Sequence, residues 1–97
     1  MPSITTTPIP YGGGATQVIF AGAGWFKGVS LRETAGAAAI VRLWDNPTTN
    51  TGTLIGTYAF VANQSYNELY TGDPVYCAKG LFLEKVSGTI EGSIRIG

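Results

Sequence analysis

Few side chains in this sequence can do chemistry: one cysteine, Cys77, six carboxylates, and no histidine. Without histidine there is no Ser-His-Asp or Cys-His couple, and the commonest zinc ligand is missing. Cys77 has no second cysteine to pair with, and its apolar setting, VYCAKGLF, reads as a buried structural thiol rather than a nucleophile. A carboxylate pair for acid and base work could be drawn from Glu33, Asp45, Glu68, Asp73, Glu84 and Glu91. Most of these fall in turns or on expected solvent faces, where acids serve solvation. The stretch DNPTTNTG offers oxygens of Asp45, Asn46 and Asn50 to a calcium ion, but with a single carboxylate and no recognisable ligand spacing. Gly12 to Gly14 are followed by neither a lysine nor a helix, so they do not make a phosphate loop. The expectation is a protein that is not an enzyme and uses no metal or cofactor.

Aromatic rings are the remaining candidates. Trp25, Phe26, Trp44, Tyr58, Tyr66, Tyr70 and Tyr76 are many for so short a chain. Such rings pack cores, anchor protein interfaces, or serve as platforms for sugars. Strand alternation puts Arg42 and Trp44 on one outward face. Trp25, Phe26, Arg42 and Trp44 are therefore the expected contact residues of the folded body.

Composition narrows the partners. Charged residues make up 12% of the 97 residues, about half the usual share, and six basic residues balance six acidic ones. A neutral chain exerts no long-range pull on phosphate backbones or anionic lipid, so neither nucleic acid nor a membrane surface is an expected partner. An under-charged neutral surface tends to associate, which suits a subunit of an assembly. No apolar run approaches the roughly 18 to 20 residues of a membrane span, and the N-terminal stretch lacks the charge and apolar core of a secretory signal. Assembly in a cytoplasm is the expectation.

The elements that must position these residues are strands. Residues 1–15, MPSITTTPIPYGGGA, form an expected extended arm: three prolines and a threonine run favour open backbone, and three glycines follow as a joint. The arm either lies along a neighbouring subunit or folds back on its own domain. Residues 16–97 form the body. TQVIFA opens it as a strand. GWFKGVSLRETAGAAAIVRLWDN then reads as a long hairpin turning near Thr34, Ala35 and Gly36, with Val29, Leu31, Val41 and Leu43 on one buried face. A short helix over Ala37 to Trp44 is the competing reading, disfavoured by its length. TLIGTYAFVA is the next strand, with Gly56 marking a bulge or a close approach of another backbone. NQSYNELYTGD is a short strand or turn. Pro74 to Val86 is one bent strand or two with a break at Gly80, and Ile90 to Ile96 is a final alternating strand. About seven to eight short strands, turn signals every eight to twelve residues and no convincing helix predict an all-β antiparallel β-sandwich, jelly-roll-like, with an extended N-terminal arm. The chain stops just after the last strand, so that strand is expected to be integral to the sheet.

An internal echo fits a Greek key: Gly28, Leu31, Gly36 and Arg42 reappear as Gly80, Leu83, Gly88 and Arg95, each set reading as a hairpin. At GVSLRETAGAAAIVRLWDN, GTLIGTYAF and KGLFLEKVSGTIEGSIRIG the sequence resembles small structural proteins of tailed-phage heads, some of which are capsid decoration or cement proteins. The resemblance spans roughly residues 24–97 and rests on turn glycines and alternating β-branched positions. It implies a viral structural protein that sits on the outer surface of the virion, has no active site, and bridges neighbouring copies of the major capsid protein. It also implies a homo-oligomer, a trimer or dimer. The arm would then add a strand to a neighbour's sheet through Ile4, Thr6, Pro8, Ile9, Pro10 and Tyr11. A different class, a carbohydrate-binding module or tail adhesin component of a phage particle, is the alternative.

Overall fold

The computed structural model describes residues 7–11, 16–70 and 74–97, with no side-chain detail for residues 7–9. Nine strands run through them: β1 (Thr7–Tyr11), β2 (Gln17–Ala21), β3 (Gly24–Glu33), β4 (Ala39–Asp45), β5 (Thr53–Phe60), β6 (Ser65–Leu69), β7 (Val75–Cys77), β8 (Gly80–Ser87) and β9 (Ile90–Ile96). They form two antiparallel sheets packed face to face. Sheet A has the order β1-β9-β3-β6, with β7 also on β3, and sheet B the order β2-β8-β4-β5. β6 pairs with Gly28 to Arg32 and β7 with Gly24 to Phe26, so the two share one edge of β3 and act as a single interrupted strand. Counted that way, eight strand positions take the jelly-roll order, the chain changing sheets at every connection except the β4 to β5 hairpin within sheet B.

The core lies between the sheets. Phe26, Val29, Leu31, Ile90 and Ile94 face inward from sheet A, and Val41, Leu43, Tyr58, Phe60, Leu81 and Leu83 from sheet B, all at 9% exposure or less. One end is closed by stacked rings. Tyr66 of β6 meets Phe60 edge-on at 4.8 Å and Tyr58 at 5.6 Å, and its hydroxyl donates to the Ala59 carbonyl at 2.9 Å. Such contacts join the sheets where no main-chain ladder can.

The long hairpin expected over Gly24 to Asn46 is not formed. β3 pairs with β9, β6 and β7, whereas β4 pairs with β5 and β8. Residues 34–38 carry the chain from one sheet to the other. Val29, Leu31, Val41 and Leu43 do share the core, but from opposite walls. Alternation identifies the buried face of each strand and leaves its partner open. The helical alternative for Ala37 to Trp44 is excluded by β4.

The internal echo has a structural counterpart, again as corners rather than hairpins. β3 to β4 passes from sheet A to B, and β8 to β9 passes back; β3 pairs with β9 and β4 with β8. The corners touch where Thr34 N–H donates to the Thr89 carbonyl at 3.2 Å. The matched residues adopt matched states: φ is +137° at Gly28 and +155° at Gly80, and +76° at Gly36 and +82° at Gly88. Leu31 and Leu83 are both core residues.

The expected boundary at residue 15 does not separate a free arm from the body. β1 is the outer strand of sheet A, with Thr7 opposite Ile96 and Tyr11 opposite Gly92. Within residues 7–11 the fold-back reading therefore describes this chain. The bulge expected at Gly56 falls one residue earlier: Leu43 faces Gly56 but Trp44 faces Leu54, which leaves Ile55 as the extra residue. The break expected at Gly80 falls just before it, between β7 and β8, and Gly80 opens β8.

Candidate interaction surfaces

Two of the carboxylates, Glu33 and Asp45, hold corners of the fold together. Glu33, expected on a solvent face, is fully buried at the end of β3, because it continues the inward parity of Val29 and Leu31. It accepts four backbone N–H groups, from Ala35 at 2.6 Å, Gly36 at 2.9 Å, Ala37 at 3.2 Å and Asn63 at 2.8 Å, and so fixes the β3 to β4 corner. Asn63 reaches it with φ at +61°, a region asparagine tolerates. The Asn63 bond, with those of the corner, holds the carboxyl below its usual range against the opposing effect of burial. Asp45 does the same for the β7 to β8 crossing, accepting from Ala78, Lys79 and Gly80 N–H at 2.9 to 3.3 Å. Burial alone would raise its pKa, but these bonds and the Lys79 charge outweigh it and the net shift is downward.

The calcium reading loses its donors in the same way. Asp45 is engaged as described, and Asn46 Oδ1 accepts from Thr48 and Thr49 N–H at 2.9 and 3.0 Å. Among the described residues no group of three His, Cys, Asp or Glu side chains could hold a metal ion. Cys77 is fully buried, and burial, with the Asp45 charge behind it, pushes its thiol up to about 11. Asp73 lies outside the described residues.

The expected contact residues separate into three groups. Tyr11 and Phe26, at 3% and 2% exposure, are part of this domain's own core, so neither ring is available to a partner. The Tyr11 hydroxyl is buried without a hydrogen-bond partner among the described residues, and burial raises its pKa. Ile4 and Thr6 lie outside the described residues; Pro8 and Ile9 are placed by backbone alone, opposite Arg95 and Ile94, and Pro10 is exposed. Trp25, Arg42 and Trp44 do point outward, but on different faces. Trp25 sits on sheet A, 42% exposed and tilted against Tyr76 at 5.1 Å. Arg42 and Trp44 sit on sheet B, with Trp44 Nε1–H donating to Glu84 Oε1 at 3.1 Å and Asn50 Nδ2 bonded to the other Glu84 oxygen at 2.7 Å.

Around Trp44 the outward face of sheet B carries an apolar row that crosses all its strands. Val18 pairs with Phe82, Phe82 with Trp44, and Trp44 with Leu54. Residues directly opposite in a sheet share a face. Phe82 lies between the core residues Leu81 and Leu83 and must face away from them; it is only 8% exposed because Val18 and Trp44 flank it. Val18 and Leu54 are 45% and 46% exposed. Phe82, Val18 and Leu54 were not among the expected contact residues. The signal for them is an apolar run without alternation, as in Val18-Ile19-Phe20 and Leu81-Phe82-Leu83, because such a run must send an apolar side chain to both faces.

Comparison with known proteins brings no match: no family model, no curated protein and no solved structure corresponds to this chain.

Proposed function

We propose that the chain is a viral structural protein, a capsid decoration or cement subunit that binds the outer capsid surface and bridges neighbouring major capsid proteins. The observation that carries this reading is the row Val18, Phe82, Trp44 and Leu54 on a domain whose charged residues are few and balanced. Contiguous apolar side chains on an outward sheet face are characteristic of contact surfaces. Trp44, partly exposed above the buried Phe82 ring, is of the residue class that dominates binding energy at interfaces. Two of the candidate carboxylates, Glu33 and Asp45, are bonded to backbone at the corners, which supports a structural rather than a chemical role for them. Trp44 supports the interface over a sugar platform, since its ring is hemmed by Phe82 and Leu54 and its N–H is bound to Glu84. Many copies on a symmetric shell hold firmly even when each contact is modest. Association as a homo-oligomer, and an arm contact through Ile4 and Thr6, belong to the same proposal.

The test is whether virus particles purified from cells that make the chain carry it in fixed ratio to the major capsid protein, measured by quantitative mass spectrometry. Leu54→Asp should leave the far-ultraviolet spectrum intact and remove the chain from the particles. Absence of the wild-type chain from particles, or full occupancy by the variant, defeats the reading.

A further inference from the structure

The opposite face of the slab has different chemistry. A depression of about 560 Å³ on the outward side of sheet A is lined by Pro10, Ser30, Arg32, Ser65, Asn67 and Glu91 over the backbone of Gly92. A second, of about 220 Å³, adjoins it through Ser30 and Asn67 and reaches Leu69 and Arg95. Together they form one trough that takes residues from β1, β9, β3 and β6.

The shape follows from side-chain length. Two rows cross the sheet in register: Glu91, Arg32, Ser65, and beside it Pro10, Ser93, Ser30, Asn67. Small residues occupy the middle, Ser30, Ser93 and Gly92, while longer ones rise at the margins. Gly92 has φ at +140°, and any β-carbon there would fall on the Ser30 carbonyl oxygen, so the floor cannot be filled without parting the strands.

We infer that this trough binds a neutral polyhydroxylated chain, an oligosaccharide. The charge pattern disfavours the main rivals. Arg32 stands opposite Glu91, and Arg95 is the one further charge of the trough, since Glu68, opposite the core residue Val29, is on the inward parity and accepts from the Tyr70 hydroxyl at 2.7 Å. A single unmatched cation is too little to hold a polyanion, and a polycation has no anionic track. What remains is a dense set of mixed donors and acceptors. The guanidinium, carboxylate and amide groups each present two polar atoms side by side, which suits adjacent hydroxyls. Ser30 Oγ and Asn67 Oδ1 are hydrogen-bonded at 2.7 Å, which fixes the amide and leaves its N–H donors for a ligand. At the far end of the same face the Trp25 and Tyr76 rings, 42% and 52% exposed, offer an apolar platform for a sugar ring. From Trp25 to Ser30 the strand covers roughly 16 Å at about 3.3 Å per residue, so the ligand is an extended oligomer rather than a single sugar. The inference is independent of the capsid reading, since it uses the other face; a chain that decorates no particle would still bind.

The experiment is a titration of the full chain with a panel of neutral hexasaccharides (cello-, chito-, malto- and xylo-oligomers) followed by amide chemical shifts. At least one should move the resonances of Ser30, Asn67 and Gly92. Asn67→Ala and Arg32→Ala, both at exposed positions, should each weaken that oligomer about tenfold, the effect of one lost hydrogen bond. Thr57→Ala on the opposite face should leave the affinity unchanged. The inference is overturned if no panel member shifts these amides at millimolar concentration, if the shifts map to Trp44 and Leu54 instead, or if both trough variants bind as the wild type does.

Discussion

Replacing Gly92 with alanine tests the sheet geometry where it has least freedom. Gly92 lies in β9, opposite Leu31 on one side and Tyr11 on the other, so its neighbours cannot move without disturbing three strands. Two costs add. Holding an alanine at φ near +140° costs about 1 to 3 kcal/mol. Its β-carbon would collide with the Ser30 carbonyl oxygen, and relieving that collision by parting β9 from β3 costs about 1 to 3 kcal/mol more. The sum, about 2 to 6 kcal/mol, is a large share of the roughly 5 to 15 kcal/mol that stabilises a typical domain. Gly36→Ala is the matched control: φ is also positive, at +76°, but nothing lies within 4 Å of an added β-carbon. There only the left-handed backbone penalty of about 1 to 2 kcal/mol applies. Urea unfolding of both variants, with unchanged dependence on denaturant, gives the comparison. If Gly92→Ala proves no more costly than Gly36→Ala, the close approach of β9 to β3 is wrong.

Acid should unfold the protein through Glu33 and Asp45. Both carboxyls have native pKa values below their ordinary values of 4.5 and 3.8, so their stabilisation is complete above those values and is lost as pH falls through the lowered native ones. Urea midpoints measured from pH 7 to pH 2 should fall in that window, with a shallower slope in Glu33→Gln. Cys77 should resist a thiol reagent in the native state at neutral pH and react at the rate of a free thiol once urea unfolds the chain; rapid native labelling would contradict its burial. Leu83→Ala, at a fully buried site, should cost about 2 to 5 kcal/mol by calorimetry or urea. Removing residues 93–97 deletes most of the strand between β1 and β3 and should leave no cooperative unfolding transition.

How much of this was legible follows from what each residue pattern encodes. The sandwich was legible because turn chemistry and alternation recur along the chain. The Gly24 to Asn46 hairpin was not, because Val29, Leu31, Val41 and Leu43 give the same pattern whether they lie on one sheet or face each other across two. Glu33 was misread by residue type, although its parity with Val29 and Leu31 pointed inward. Phe26 is a contact candidate by its aromatic ring, which does not distinguish core from surface, and Tyr11 by its place in the expected arm, which does not say whose core the arm fills. Trp44 was legible from alternation with Arg42. Its row was not, since it depends on the cross-strand register that puts Phe82 between Val18 and Trp44, and register is set by bulges at Ile19 and Ile55 that no local signal fixes to the residue.

Those irregularities also bear on how copies can meet. A sheet edge with regular unpaired backbone invites another strand. Among the described residues none of the edges is regular. β1 carries Pro8 and Pro10, which have no N–H, so its ladder to β9 must rest on Thr7, Ile9 and Tyr11 and its outer side lacks donors at both alternate positions. β2 is bulged at Ile19 and β5 at Ile55, and the edge formed by β6 and β7 is interrupted between Leu69 and Val75. Copies of this chain are therefore poor substrates for strand addition to one another, and an arm that pairs with a neighbour would have to find its edge on a different protein. The broad faces are left for contact. The molecule is a slab 39 × 33 × 18 Å, with the apolar row on one side and the polar trough on the other. No single flat partner can cover both. A variant on one face, Leu54→Asp, and one on the other, Asn67→Ala, should therefore act independently, and their double mutant should show additive losses in particle attachment and oligosaccharide binding, each measured alone. Coupling between the two losses would mean that one partner wraps the edge and reaches both faces.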